Sequence, residues 1–348
     1  MALALAHLGD VERAWQELDT LLSGQWRDGM VPHIVFHGDD SAYFPNSAMW
    51  RAGEAVPTSG ITQPPVLATC VRLILDQEAP GAASLARAKA LFPKLFAYHQ
   101  WYHAVRDPDQ NGLVAIVHPW ESGFDNNPVF DAPLRRVPLD FLVPYQRKDT
   151  DHTAAEQRPR KSDYDAYIAL LLFFRRHHYD QQYIARHSPF RVADVGVNAL
   201  LLRADRDLRA LALRTGNDLL TPAIDAWIAQ AEAGLQRLWT PELALFCPID
   251  LDAGAKIPLP SITGFLPLFS GPLPEAQVEA MAGVAQRWYA GSRYGFPSFD
   301  PRHPLFDPRR YCRGPAWFVM SWLMGRGFAG NGRPDIYKKI QVRFLELA

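Results

Sequence analysis

The 348 residues carry 36 Lys and Arg against 37 Asp and Glu. So balanced a chain shows neither a nucleic-acid footprint nor a membrane-binding surface. Cys70, Cys247 and Cys312 are odd in number and far apart, which excludes a disulfide framework or a metal-ligand pair and points to a reducing, cytoplasmic compartment.

The length allows one large domain or two to three small ones. The opening MALALAHLGD has no basic flank and no small-residue cleavage site, so it does not read as a secretory signal. Residues 2 to 8 read as the last turns of a helix. Gly9 ends it, and Asp10 is a good N-cap for a second helix with Val11, Trp15, Leu18 and Leu22 on one face. Gln25 to Pro65 is long and irregular, and a structured stretch of that kind is usually functional. Helical spacing returns over Val66 to Leu75. It returns again through Leu85, Leu91, Leu95, Tyr98, Tyr102 and Val105, where Pro93 predicts a kink.

Residues 132 to 160 are polar and proline-rich and read as a covering loop. Further helices are predicted over Tyr164 to His178, Asp194 to Thr215, Pro222 to Leu238, Glu275 to Tyr289, Pro315 to Met324 and Arg333 to Ala348. Loops are predicted over Glu242 to Leu266, with a short hairpin, and over Ala290 to Arg313. The strand signals, Val114 to Val117 and Ala244 to Cys247, are short. The apolar run Trp317 to Met324 is too short to span a bilayer. With no repeat and no linker, the pattern is an all-α domain of stacked helical hairpins.

The chemistry concentrates in Gly112 to Asp131, GLVAIVHPWESGFDNNPVFD. An apolar run leads into it, and Pro119, Gly123 and Pro128 then break regular structure. Glu121 and Asp125 thus sit in a loop beside Trp120 and the amides Asn126 and Asn127. Such a set suits a sugar. Ring faces stack on indole, hydroxyls bond amides and carboxylates, and a carboxylic acid can protonate a glycosidic oxygen. Metal readings are weaker. Asp107, Asp109, Asn111 and Gly112 match the first half of a calcium loop, but His118 occupies the required glutamate position, so a turn is expected. His33 and His37 lack a third ligand, and His177 and His178 suit a helix C-terminus. Neither a metal nor a cofactor is expected.

HPWESGFDNNP (His118 to Pro128), YFPNSAMW (Tyr43 to Trp50), TQPP (Thr62 to Pro65), GQWRDGMVPHI and YCRGPAWFVMSWL (Tyr311 to Leu323) together resemble glycoside hydrolase family 63 and its bacterial glucosylglycerate and mannosylglycerate hydrolases. The resemblance covers nearly the whole chain. It implies an (α/α)6 toroid, six inner helices ringed by six outer ones, formed by residues 1–348 as one catalytic domain. It implies inverting hydrolysis of an α-glycosidic bond in a small glucoside or mannoside, with Asp125 as general acid. Trp120, Glu121, Gln63, Tyr311, Arg313 and Trp317 are the candidate substrate-binding residues. Arg313 is also a candidate to fix its loop by pairing with a carboxylate.

An acid in that role needs a raised pKa, from burial or a nearby negative charge, and Glu121 is a candidate source of that charge. Inversion also needs a second carboxylate about 6.5–9.5 Å away. The family's base is a glutamate in a C-terminal segment with no counterpart here, and only a stub of the first helix is present. The chain is therefore expected to be truncated at both ends. Cys312 stands where the family has a tryptophan, which removes a stacking platform. Two alternatives follow: a non-catalytic sugar-binding relative, or a sugar epimerase on the same barrel. An epimerase would need basic or histidine proton shuttles at the mouth.

Overall fold

The computed structural model describes residues 1–77, 82–290, 292 and 295–346. The predicted loop over 290–313 and the predicted last helix include residues 291, 293–294 and 347–348, which lie outside the described residues.

The chain opens with α1 (Ala2–His7) and α2 (Val11–Ser23), which pack on each other. Asp10 caps α2 by accepting from the Arg13 N–H at 3.2 Å. Apolar spacing of 3–4 residues puts Ala14, Trp15, Leu18 and Leu22 on the buried face. The irregular segment that follows contains one helical turn, α3 (Ser47–Trp50), capped by Asn46. It is held by single contacts such as Trp26 Nε1 to Thr58 Oγ1 at 3.0 Å. Next come α4 (Leu67–Gln77) and α5 (Ala82–Trp101). Pro93 lies inside α5, and helical structure continues beyond it. The irregularity falls later, where Tyr102–Arg106 widens into a π-turn.

Beyond the 112–131 stretch and the turn α6 (Asp131–Leu134) come α7 (Lys161–Arg176) and α8 (Gln181–His187). The central helix is α9 (Val195–Thr215), capped by Asp194, which accepts from the Val197 N–H at 2.9 Å. It packs against α4, α5, α10 (Thr221–Gln236) and α11 (Pro267–Ser270). Val197, Leu201, Leu208 and Leu211 are each at most 1% exposed, so each contributes about 2–3 kcal/mol of burial. One face of α9 joins the core of the N-terminal half. Val195, Ala199 and Leu202 on its other face join a second core. That second core is built with α12 (Glu275–Ala290), α13 (Phe318–Gly330) and α14 (Pro334–Leu345). Buried Asp205 of α9 ties this helix to α5. Its Oδ1 meets His99 Nδ1 at 2.7 Å, and its Oδ2 meets His103 Nε2 at 3.0 Å.

Strand is sparse. β1 (Val192–Ala193) pairs with β4 (Ile249–Asp250), which pairs with β5 (Ala255–Lys256). β2 (Trp239–Thr240) pairs with β3 (Leu245–Phe246), inside the predicted Ala244–Cys247 signal. Val114 to Val117 is extended and joins this sheet edge at one bridge, Ile116 to Val192. Just before it, Gly112 (φ +81) crosses α10 at backbone distance. A Cβ there would lie 2.0 Å from Gln230 O, and one on Gly234 would lie 2.1 Å from Gly112 O. Asp107 accepts from Asn111 N at 2.9 Å and Gly112 N at 2.7 Å, the expected turn.

Candidate active site

The loop that carries Asp125 is fastened residue by residue. His118 caps a 3-10 turn, Pro119–Ser122. Its Nε2 donates to Tyr167 O at 3.0 Å, and its Nδ1 accepts from Trp120 N at 3.1 Å. Those two bonds define a neutral tautomer, and burial pushes the imidazole down to about 3. Gly123, at φ +66, turns the chain. Tyr167 Oη then donates to Asp125 O at 3.0 Å. The two amides are consumed as scaffold. Asn126 bridges Asp163 and Arg313. Asn127 Nδ2 donates to Ser261 Oγ at 2.6 Å, and its Oδ1 accepts from Val129 N.

Asp125, Trp120, Gln63 and Tyr311 line one cavity of about 530 Å³. Gln63 Nε2 donates to Trp120 O at 2.5 Å. The walls are aromatic: Tyr43 and Phe44 from the irregular segment, and Tyr164 from α7. Tyr164 meets Trp120 edge-on at 6.0 Å. The polar side is the covering loop, with Lys148, Asp149 and Arg158. Arg158 Nε donates to Asp149 Oδ2 at 3.0 Å, and its guanidinium lies 4.8 Å from the Tyr311 ring centroid. Arg147 also grips Asp149 and lies over Tyr164.

Burial pushes Asp125 up to about 6. The Arg158 cation and the Trp120 indole pull against that rise, and the Asp149 charge adds to it. Burial also raises Asp149, but hydrogen bonds from Arg147 and Arg158 outweigh it and hold that carboxyl low. The site thus holds one carboxyl poised near neutrality and one kept ionised by arginines. The first can deliver a proton to an oxygen lying against the aromatic wall.

Three candidates lie elsewhere. Glu121 does not face the cavity and is 1% exposed. Its Oε1 accepts from Arg106 Nη2 at 2.7 Å and from Thr62 N at 3.4 Å, and its Oε2 accepts from Val117 N at 2.8 Å. With those oxygens engaged it holds no sugar hydroxyl, and the negative neighbour of Asp125 is Asp149. Arg313, 3% exposed, pairs through both terminal nitrogens with Asp131 and donates to Asn126, so it supports the loop and contacts no ligand space. Trp317 sits edge-on to Tyr311 at 5.1 Å and to Phe124 at 6.4 Å, backing the wall without forming it. Cys312 is buried, at φ +59.

The residues that sequence reasoning passed over are Tyr43, Tyr164, Asp149 and Arg158. Their signal was present in the irregular segment, the covering loop and the start of α7. What was missing was a reason to choose among their many polar and aromatic side chains.

A carboxyl raised by burial and a set of aromatic side chains share one cavity, an arrangement suited to a carbohydrate. The mannosylglycerate hydrolase MGH1-like glycoside hydrolase domain model matches residues 1–348. A mannosylglycerate hydrolase from Thermus thermophilus is 48% identical over 97% of this chain and 82% of its own. A glucosylglycerate hydrolase from Mycolicibacterium hassiacum is 34% identical over 95% and 78%. The crystal structure of a family 63 mannosylglycerate hydrolase from Thermus thermophilus, in complex with Tris and D-glycerate, superposes with a TM-score of 0.94. It is 47% identical, with coverage of 99% of this chain and 83% of its own. The chain belongs to the mannosylglycerate hydrolase MGH1-like glycoside hydrolase family, and its fold is the (α/α)6 toroid of the six-hairpin glycosidases.

Proposed function

We propose that the chain hydrolyses the α-glycosidic bond of a mannosyl- or glucosylglycerate with inversion, and that Asp125 is the general acid. The observation that carries this is Asp125 itself, a carboxyl raised to about 6 inside the aromatic cavity. The C1–O bond breaks as the Asp125 proton passes to the departing glycerate oxygen. Water adds to C1 from the opposite face as a second carboxylate takes its proton, so the anomeric configuration inverts. Trp120 offers its ring to the sugar, and Gln63 offers an amide to its hydroxyls.

An anionic aglycone is favoured by Arg158 and Lys148 on the polar side. Asp149 neutralises part of that charge but leaves a net cation. The relatives named for mannosylglycerate and glucosylglycerate support the same class of substrate. The three unpaired cysteines fit a cytoplasmic enzyme, and among the described residues no helix is long and apolar enough to cross a membrane.

The test is a time course of the chain with each glycerate glycoside, followed by NMR of the anomeric proton. The β-sugar should appear first, and Asp125→Asn should lose hydrolysis while still binding substrate. Initial release of the α-sugar, or full activity in Asp125→Asn, would sink the assignment.

A further inference from the structure

We infer that the buried Arg106–Glu121 pair positions the acid. Glu121 clamps the Asp125 loop to the segment that carries Gln63, and so fixes where the proton is delivered. This rests on the glycosidase reading above and deepens it.

Glu121 lies four residues before Asp125 in one tight loop, and it joins three separate segments. Its Oε1 accepts from Arg106 on the π-turn and from the main chain of Thr62, next to Gln63. Its Oε2 accepts from the main chain of Val117, where the extended run enters the loop. The counterpart of this clamp runs along α5. Tyr98 and Tyr102 donate their hydroxyls to Gln63 O at 2.9 and 2.8 Å. Gln63 in turn donates to Trp120 O. Residues 98, 102 and 106 are spaced by four. A regular α-helix would rotate that row away at each step. The π-turn over Tyr102–Arg106 holds more residues per turn and keeps Arg106 in line with the tyrosines. One face of α5 and its π-turn therefore anchors both walls beside the acid.

The pair is a poor stabiliser in its own right. Both side chains are 1% exposed, and Arg106 Nε and Nη1 are buried with no hydrogen-bond partner among the described residues. Breaking even on desolvation requires that such groups be satisfied. What the pair does supply is geometry: one carboxylate fixes two main-chain N–H groups from different loops. Glu121 is accordingly a positioning residue, with no contact to the cavity.

The experiment compares wild type, Glu121→Gln and the double variant Arg106→Gln with Glu121→Gln. Each is assayed on two substrates sharing one sugar: the glycerate glycoside, whose alkoxide must be protonated to leave, and the α-glycosyl fluoride, which departs as fluoride with little help from an acid. A misplaced proton donor should lower kcat on the glycerate substrate about 100-fold in Glu121→Gln, with KM unchanged and loss on the fluoride within about threefold. The double variant leaves no unpaired buried charge and should return to within about tenfold of wild type on the glycerate substrate. If Glu121→Gln does not fold, the double variant alone must still show a larger loss on the glycerate substrate than on the fluoride. Equal losses on both substrates, or a change in KM alone, overturn the inference. A wild type that cleaves neither substrate overturns the glycosidase reading, and this inference with it.

Discussion

Replacing Asp125 with Asn should make the chain more stable, and only at pH values where the carboxylate would be ionised. Burial lifts this carboxyl from the ordinary 3.8 to about 6. The folded chain therefore holds the proton more tightly than the unfolded chain does. Below about pH 4 both states are protonated and the carboxyl carries no penalty. Between about pH 4 and 6 the unfolded chain ionises first, and the folded state loses ground. Above about pH 6.5 the penalty is complete. At about 1.4 kcal/mol for each tenfold change, it reaches roughly 2–3 kcal/mol. Asparagine removes it. With an unfolding entropy of about 2 cal/mol/K per residue, a gain of that size raises Tm by roughly 3–4 °C in a chain of this length. Parallel urea and thermal melts from pH 3.5 to pH 8 measure it. Variant and wild type should coincide at pH 3.5 and separate through pH 4 to 6. A gap of equal size at pH 3.5 and pH 8, or a wild type that is the more stable at pH 8, refutes a raised Asp125.

The same value predicts that kcat/KM of the wild type falls about tenfold per pH step above about 6, because the free enzyme must carry the Asp125 proton; a flat profile to pH 8 would contradict it. Arg158→Gln should raise KM for a glycerate glycoside about tenfold or more, and leave KM for a neutral aglycone nearly unchanged. It should also move the alkaline limb to higher pH, since the Arg158 cation holds Asp125 down. Asp205→Asn should destabilise at neutral pH by about 1–3 kcal/mol, because the His99 and His103 ring nitrogens lose their buried carboxylate acceptor. Burial raises Asp205, but its contacts with His103 and His99 win and leave it lowered. Its stabilisation is therefore present above the unfolded pKa of about 4 and lost as pH falls through the lower folded value. The gap to the variant should shrink on acidification below about pH 4.

Much of this was legible in the sequence because the signals were local. Asp10 and Asp194 cap helices at the residues where the apolar period starts. The loop that carries Asp125 announced itself by Pro119, Gly123 and Pro128. Helix α13 was harder, starting three residues later than predicted and ending six residues later. A Cβ at Gly325 would strike Tyr337 and one at Gly327 would strike Leu268, so close packing requires glycine inside this helix. Helix α8 went unseen because seven mostly polar residues carry no period. Glu121 shows the deeper limit. Two carboxylates in one loop look equivalent in sequence, and which one faces the cavity depends on Arg106, fifteen residues back on a π-turn. Arg158 had the opposite problem, since its charge looked like any other in a polar run until the loop folded over the cavity.

The crossing of Gly112 over α10 sets the unit in which this site can be exchanged. The loop begins where two backbones touch through Gly112 and Gly234, with no side chain between them. A chimera that grafts residues 112–131 from a relative onto this chain inherits a path matched to the donor's α10. If that helix is rotated, or bears any residue but glycine at the contact, the loop starts displaced and the displacement reaches Asp125. The portable module is therefore loop plus α10, two segments far apart in sequence and best transplanted as one.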